Sequence, residues 1–238
     1  MGADMYERLK QAFDKYSNIV FLGGAGVSTE SGIPDFRGAN GLFNKKYPFP
    51  PENMLSHDFF VRNPELFFEF YKNEMIYSAA LPNKAHTALS QLEKGGRLKT
   101  VITQNIDGLH QAAGSVNVIE LHGSVHRNFC VSCKKKYSLE KVLSFKGVPK
   151  CACGGTIRPD VVLYGESLDD ECLIKAAEYV SQADMLIIGG TSLAVYPAAG
   201  IVRYFKGDCL VLINKSETGM DDRADLVFHE NIGDVLGI

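Results

Sequence analysis

The sequence predicts a doubly wound α/β fold in which helices cover both faces of a parallel sheet. Short apolar runs rich in β-branched residues alternate along the chain with amphipathic helical patterns. Glycines follow directly after the first apolar run, as at the first strand-to-helix turn of such folds. The chain has 238 residues, enough for one large domain or for a domain with a small module.

The predicted strands are almost wholly apolar, as expected for parallel strands that are covered on both faces. They span 18–22, 99–103, 116–120, 184–188 and 209–213, and weaker candidates span 158–163 and 224–228. Helical spacing of apolar residues predicts helices over 6–16, 64–80, 83–94 and 169–181. We therefore expect a Rossmann-like main domain.

Two stretches interrupt this alternation. Residues 43–60 are rich in Phe, Pro, Asn and Lys, and residues 125–156 carry four cysteines and a run of three lysines. We read both as insertions. The Rossmann-like domain is then expected to comprise 1–42, 79–124 and 157–238, with a helical, loop-rich insertion at 43–78 and a metal-binding lobe at 125–156.

Composition and charge exclude several classes of protein. The formal net charge of −3 and the pI of about 6.1 argue against general binding of nucleic acid. No stretch approaches the roughly 18 consecutive apolar residues that cross a bilayer. The N-terminal residues are charged and amphipathic, unlike a secretion signal. A cytoplasmic protein is expected, without membrane or direct nucleic-acid partners.

Four of the six cysteines form two close pairs, Cys130 with Cys133 and Cys151 with Cys153. Without a secretion signal, such pairs indicate metal ligands rather than disulfides. Four thiolates give a closed, tetrahedral zinc site, which stabilises a fold and leaves no position for a reacting water. A redox-active dithiol is the alternative, because the Cys-x-Cys half is tighter than the usual spacing.

The segment Gly23-Gly24-Ala25-Gly26-Val27-Ser28 follows the first predicted strand. Glycines there let the backbone approach a pyrophosphate, whose charge is favoured by the following N–H groups. Thr29 stands where the dinucleotide fingerprint has its third glycine, and the acidic residue expected about 20 positions later is missing. An ordinary dehydrogenase is therefore disfavoured, and a turn without a ligand remains an alternative.

Polar and aromatic side chains cluster where predicted strands end. They lie in Ser-Thr-Glu-Ser-Gly-Ile-Pro-Asp-Phe-Arg-Gly at 28–38, Thr-Gln-Asn-Ile-Asp at 103–107 and Glu-Leu-His-Gly at 120–123. Ligands bind at the carboxyl ends of parallel strands, so these groups are expected to converge on one crevice.

Taken together and in order, GAGVSTESGIPDFRG, TQNIDGLH, ELHG, the cysteine pairs, GTSLAVYP and the late LIN resemble the sirtuins, NAD-dependent protein lysine deacylases. The resemblance runs from about Asn18 to the C-terminus and is strongest to compact bacterial members. It implies NAD-dependent removal of acetyl or similar uncharged acyl groups from protein lysine, with release of nicotinamide and O-acyl-ADP-ribose. Mono-ADP-ribosyl transfer and a zinc-ribbon module that only binds NAD remain alternatives.

The resemblance implies catalytic roles for three residues. His122 matches the base that activates a ribose hydroxyl near neutral pH. Asn105 matches the amide that holds a water and the ribose hydroxyls, and Asp107 the carboxylate that accepts a hydrogen bond from the nicotinamide carboxamide. Singly, His122 could also cap or pack at a strand end, and Asp107 could merely cap a turn.

The long, irregular stretch 43–60 has an unusual aromatic content and is expected to be a cofactor loop, mobile without NAD and ordered around it. The resemblance also implies which residues contact NAD. The expected NAD contacts are Gly24, Ala25, Gly26, Thr29, Phe36, Arg37, Gln104, Asn105, Ile106, Asp107, His122, Gly190, Thr191, Ser192, Asn214 and Ile232.

The acyl-lysine peptide is expected to add as a strand beside residues 161–165, with residues 193–196 across from it. The expected substrate contacts are Val161, Val162, Leu163, Tyr164, Gly165, Leu193 and Val195. Sirtuins that prefer succinyl-lysine or malonyl-lysine carry Tyr-x-x-Arg on the insertion helix, but here Glu74 stands three residues after Tyr71. Phe67, Phe70, Met75 and Ile76 are expected to suit acetyl or longer uncharged chains. His86 and His110 are expected to have structural roles.

Overall fold

The computed structural model describes residues 2–38 and 40–237. Its strands are β1 (Ile19–Gly23), β2 (Leu98–Thr103), β3 (Val118–Glu120), β4 (Gly123–Cys130), β5 (Lys136–Tyr137), β6 (Ile157–Val161), β7 (Met185–Gly189), β8 (Cys209–Ile213) and β9 (Leu226–Phe228). Its α-helices are α1 (Gly2–Lys15), α2 (Pro51–Met54), α3 (His57–Arg62), α4 (Pro64–Phe70), α5 (Lys84–Lys94), α6 (Leu109–Ala112), α7 (Leu139–Leu143), α8 (Asp170–Gln182) and α9 (Ile232–Leu236).

Six strands form a parallel sheet in the order β3-β2-β1-β7-β8-β9. From β1 the chain builds outward through β2 and β3 on one side, and then through β7, β8 and β9 on the other. The order therefore reverses between β1 and β7, which is the switch point of a doubly wound sheet. This topology confirms the predicted Rossmann-like fold class.

Alternate residues of the sheet pack against helices on opposite faces, as the two-residue period of a strand requires. On one face, Ile19 and Phe21 of β1 share a core with residues of α1, α5 and α9. On the other face, Val20 and Leu22 pack with α8 and with the 3₁₀ helix Ala198–Tyr204. Covering on both faces explains why these strands read as continuous apolar runs.

A second, antiparallel sheet has the order β5-β4-β6. The strand predicted at 158–163 forms as β6, but it pairs with β4 rather than with the large sheet. Because Gly123 pairs with Val161, this sheet extends beyond the predicted lobe of 125–156 at both ends. The pairing of β4 with β6 thus spans residues 123–161, and the division of the chain into domains stays a prediction.

The insertion is more ordered than its sequence indicated. The irregular stretch 43–60 contains α2 and the start of α3, and the rings of Phe60 and Phe67 pack edge to face with centroids 5.0 Å apart. The helix predicted over 64–80 ends at Phe70, a π-helical turn spans Tyr71–Met75, and Ile76 is extended. Aromatic residues distant in sequence share this core, which local periodicity could not indicate.

Among the described helices, we find none that combines the length and apolar character required to cross a bilayer.

Candidate functional site

A cavity of about 1120 Å³ opens where the central strands of the large sheet end. Gly23 pairs with Thr103 and with Gly189, and Gly189 pairs with Ile213, so four strands end at one level. The cavity continues beneath the insertion and the small sheet, and it exceeds the range usual for a small ligand. Every residue predicted to contact NAD lines it.

The glycine turn is held against the loop after β7. A Cβ on Gly26 would lie 2.6 Å from the Gly190 Cα, and a Cβ on Gly24 would lie 2.9 Å from the Gly190 carbonyl oxygen. The Gly26 N–H donates to that oxygen at 2.8 Å. The next segment is a 3₁₀ helix, Ala25–Ser31, rather than an α-helix. Close packing between the two loops is therefore sufficient to require glycine at positions 24 and 26, even without a ligand.

Ser28, Asn105 and Asp107 form a buried hydrogen-bond network. The Ser28 hydroxyl donates to Asp107 Oδ2 at 2.7 Å and accepts from Asn105 Nδ2 at 3.0 Å. Asp107 Oδ1 accepts from the Leu109 N–H at 2.9 Å, so the carboxylate also caps the start of α6. The network fixes the carboxylate and amide side chains at the cavity wall.

Sequence reasoning did not assign roles to two residues that support this network. Ser28 is 1% exposed, and its position between the glycines and Thr29 was the available signal. His126 lines the cavity and donates from Nε2 to the Asp107 carbonyl at 3.0 Å. It lies in β4, a strand that the sequence did not indicate.

His122 is oriented by the end of β2. Its Nδ1 lies 3.0 Å from the Gln104 carbonyl oxygen. A carbonyl only accepts, so Nδ1 carries the hydrogen and the neutral ring keeps its lone pair on Nε2. Burial lowers the pKa of His122, although the bond to Gln104 opposes this shift. The imidazole is therefore a neutral proton acceptor at neutral pH.

Thr191 connects the ends of three strands through hydrogen bonds at the cavity wall. Its hydroxyl accepts from Gln104 Nε2 at 3.1 Å, and its carbonyl accepts from Asn214 Nδ2 at 2.7 Å. Gln104 follows β2, Thr191 follows β7 and Asn214 follows β8. The predicted convergence of polar groups at the carboxyl ends of the strands is thus present.

The predicted substrate segment, residues 161–165, lines the cavity. Strand β6 ends at Val161, and Val162 N–H donates to the His122 carbonyl at 3.0 Å. Val195 also lines the cavity. Leu193 does not; it has a left-handed φ of 53°, and its side chain packs with the core on the α8 face. The contact of Leu193 with the peptide therefore stays a prediction, for a side chain that is only partly buried.

The four paired cysteines fit a tetrahedral zinc ion. Their Sγ atoms all lie within 4.8 Å of one another, with Cys130 and Cys153 separated by 3.5 Å and Cys133 and Cys151 by 3.6 Å. Zn–S bonds of about 2.3 Å in a tetrahedron place sulfurs about 3.8 Å apart. The Tyr137 hydroxyl donates to Cys151 Sγ at 3.0 Å, which favours a thiolate. None of these four cysteines lines the cavity.

His86 and His110 lie in the interior, with ring centroids 4.7 Å apart. Asn83 caps α5, and the His86 ring closes this capping box. Burial lowers the pKa of His86 to about 4 and that of His110 to about 3, with a smaller contribution at His110 from its neighbour. Both rings are therefore neutral packing groups, as the expected structural role requires.

Comparisons with known proteins agree with this geometry. The family model described as "Sir2 family" matches residues 24–197. An NAD-dependent protein deacetylase of Clostridium perfringens (strain 13 / Type A) is 60% identical over 238 residues, which cover 98% of each chain.

Solved structures agree equally well. A Sir2 with deacetylated p53 peptide and 3'-O-acetyl ADP ribose is 42% identical, with a TM-score of 0.88 and coverage of 97% of this chain and 95% of that one. A Sir2 with p53 peptide and NAD⁺ is 41% identical, with a TM-score of 0.84 and coverage of 96% and 94%. These matches confirm the predicted resemblance: the chain belongs to the Sir2 family.

Proposed function

We propose that this protein is an NAD-dependent protein lysine deacetylase that removes acetyl or similar uncharged acyl groups and releases nicotinamide and O-acyl-ADP-ribose. One observation carries the proposal. His122, Asn105 and Asp107 line a single cavity together with the glycine turn, in a chain 60% identical to a protein named as such a deacetylase.

Bound NAD supplies the ribose carbon from which nicotinamide departs. The Nε2 atom of His122 accepts a proton from a ribose hydroxyl, because Nδ1 already donates to the Gln104 carbonyl. Asn105 holds a water or a ribose hydroxyl at Oδ1, since its Nδ2 is committed to Ser28. Asp107, held by Ser28 and the Leu109 N–H, accepts from the nicotinamide carboxamide.

The other walls of the cavity bind and shield the cofactor. Phe36 screens the reacting sugar from water, and its ring packs on Phe43 with centroids 5.5 Å apart. Arg37 donates charge-assisted hydrogen bonds to a phosphate of NAD. Its guanidinium lies 5.2 Å from the centroid of the same Phe43 ring. Residues 43–60, which include Phe43, act as the cofactor loop. Equal hydrogen-exchange protection of this loop with and without NAD would contradict that role.

The acyl-lysine peptide lies along residues 161–165, with Val195 across from it, and the zinc ion stabilises the small sheet without taking part in bond breaking. We place the protein in the cytoplasm, because paired thiols suited to a metal are typical of a reducing compartment. Fractionation of cells that express the tagged chain tests this location, and recovery outside the cytoplasm would contradict it.

Mass spectrometry of one acetyl-lysine peptide, incubated with the protein and NAD, tests the proposal. We expect loss of the acetyl group from the peptide and the appearance of O-acetyl-ADP-ribose, both absent with His122→Ala. Addition of ADP-ribose to the peptide would instead identify a mono-ADP-ribosyltransferase.

A further inference from the structure

The Glu166 carboxylate joins three separate parts of the chain. Its Oε1 accepts from Arg158 Nη1 at 2.6 Å and from His57 Nδ1 at 2.8 Å. Its Oε2 accepts from Arg158 Nη2 and from the Leu163 N–H, both at 2.9 Å. Arg158 lies in β6, Leu163 in the predicted substrate segment and His57 at the start of α3 in the insertion. We call Glu166, Arg158 and His57 the Glu166 cluster.

This cluster is largely shielded from solvent. The side chains of Arg158 and Glu166 are 13% and 19% exposed. The Arg158 guanidinium lies 5.3 Å from the centroid of the Phe60 ring and 5.9 Å from that of Phe129. Burial opposes ionisation of Glu166, but hydrogen bonds from Arg158, the Leu163 N–H and His57 lower its pKa to about 2. The pair is therefore fully charged at neutral pH, and each partner depends on the other.

The cluster determines the shape of the substrate segment. Two hydrogen bonds join the Leu163 backbone to Glu166. The Leu163 N–H donates to the carboxylate, and the Leu163 carbonyl accepts from the Glu166 N–H at 2.9 Å. Gly165 has a left-handed φ of 86°, which completes this tight turn. Arg158 Nη2 also donates to the Val161 carbonyl at 2.9 Å, so the start and the middle of the segment contact the same ion pair.

Backbone bonds connect the segment to its neighbours on two sides. Val162 N–H donates to the His122 carbonyl at 3.0 Å. Tyr164 N–H donates to the Leu55 carbonyl at 3.0 Å, and the His57 N–H donates to the Tyr164 carbonyl at 2.9 Å. The segment thus has a fixed position relative to both His122 and the insertion before a peptide arrives, and a preorganised edge lowers the entropic cost of binding.

We propose that Glu166 is a positioning residue for the peptide substrate: together with Arg158 it holds residues 161–165 in the conformation that receives an acyl-lysine chain beside His122. This inference rests on the proposed deacetylase function. Among the described residues, the side chains of the Glu166 cluster make no hydrogen bond to a residue that is predicted to contact NAD. Loss of the cluster therefore weakens peptide binding and spares NAD binding.

Steady-state kinetics with an acetyl-lysine peptide tests the inference through two variants. Glu166→Gln keeps the size of the side chain and loses its charge, and Arg158→Lys keeps the charge and loses the paired donors. We expect each to raise the peptide KM by about tenfold, equivalent to about 1.4 kcal/mol. The kcat and the NAD KM should stay within about twofold of wild type, less than the effect of one lost neutral hydrogen bond.

Glu178→Gln on the exposed face of α8 is the matched control and should leave all three constants unchanged. An unchanged peptide KM, or an equal rise in the NAD KM, would overturn the inference. A rise with Glu166→Gln but not with Arg158→Lys would show that Glu166 contacts the peptide directly, and would also overturn it.

Two further measurements keep the test decisive. If circular dichroism shows that either variant is unfolded, His57→Ala carries the test, because His57 is 48% exposed and supplies only one of the four bonds. It should raise the peptide KM by about two- to threefold at unchanged NAD KM, and no rise would count against the proposal. Wild-type protein that fails to deacetylate the peptide would contradict the proposed function itself, which separates the two failures.

Discussion

His122 has one ring nitrogen committed to the Gln104 carbonyl and one free to accept a proton. Replacing it removes the base while the fold remains. We predict that His122→Ala lowers kcat by about 10²–10⁴-fold. NAD affinity, measured by calorimetry, should be largely retained. His122→Asn is the matched variant, because its amide can still donate to Gln104 yet accepts no proton, and it should lose as much activity.

The pH profile of kcat/KM reports the same residue. Since burial lowers the pKa of His122 below its usual 6.5, activity should rise with pH through a midpoint below 6.5 and then level off. In both His122→Ala and His122→Asn, this rise of kcat/KM with pH should be absent. A variant that keeps more than about a tenth of wild-type kcat would remove His122 from the role of base.

The buried pair His86 and His110 predicts how stability depends on pH. Both have folded-state pKa values, about 4 and about 3, below the unfolded value of 6.5. The unfolded chain therefore binds more protons between those limits, and stability present above pH 6.5 is lost as pH falls. We predict a loss of about 1–2 kcal/mol per histidine between pH 7 and pH 5.

Urea unfolding at a series of pH values measures this dependence. His110→Gln should reduce the change in the free energy of unfolding between pH 7 and pH 5, whatever its effect on stability at neutral pH. Equal slopes in wild type and His110→Gln would show that the pair is not responsible.

At the scale of elements, the small sheet depends on its four cysteines. Residues 130–156 have few long helices or strands, so metal coordination supplies much of the folding energy of this region. We predict that Cys130→Ala, or strong chelation, lowers the Tm and releases about one zinc ion per chain. Calorimetry with a colorimetric zinc assay measures both quantities.

Cys172→Ala is the control for this prediction, because Cys172 lies outside the cluster. It should keep the zinc ion. Full stability after zinc removal, or evidence of a metal-bound water, would show that the site is not a closed structural one.

The insertion predicts acyl selectivity. Glu74 lines the cavity and accepts from Tyr47 at 2.7 Å and from Lys45 at 2.9 Å, so a carboxylate lies at the cavity wall and Lys45 is engaged. The amine of Lys72 donates to two backbone carbonyls near α7. Met75 lines the cavity, as expected. An acyl carboxylate would therefore lack a cationic partner on this element, which is costly.

We predict at least about tenfold higher kcat/KM for an acetyl peptide than for its succinyl counterpart. Glu74→Gln should narrow this ratio, since it removes the repelling charge. Comparable rates on the two peptides with wild-type protein would contradict the prediction. Phe67 and Phe70, which are expected from the sequence to suit an uncharged acyl chain, lie in the core of the insertion, where their rings pack with neighbouring aromatic rings.

At the scale of the whole molecule, the large sheet was predictable because its strands are covered on both faces and read as apolar runs. Strand β4 was not, since polar residues such as Arg127 and Asn128 lie within it and its pairing with β6 joins residues distant in sequence. Site residues were predictable as motifs at strand ends. Contacts made by one side chain across several elements, such as those of Ser28 and Glu166, required the structure.

The central claim is that one cavity couples NAD cleavage to an acyl-lysine chain. Nicotinamide release, measured with an acetyl-lysine peptide and with the same peptide unmodified, tests it most directly. The account predicts one nicotinamide for each acetyl group removed, and negligible release with the unmodified peptide. Equal release with both peptides would contradict it.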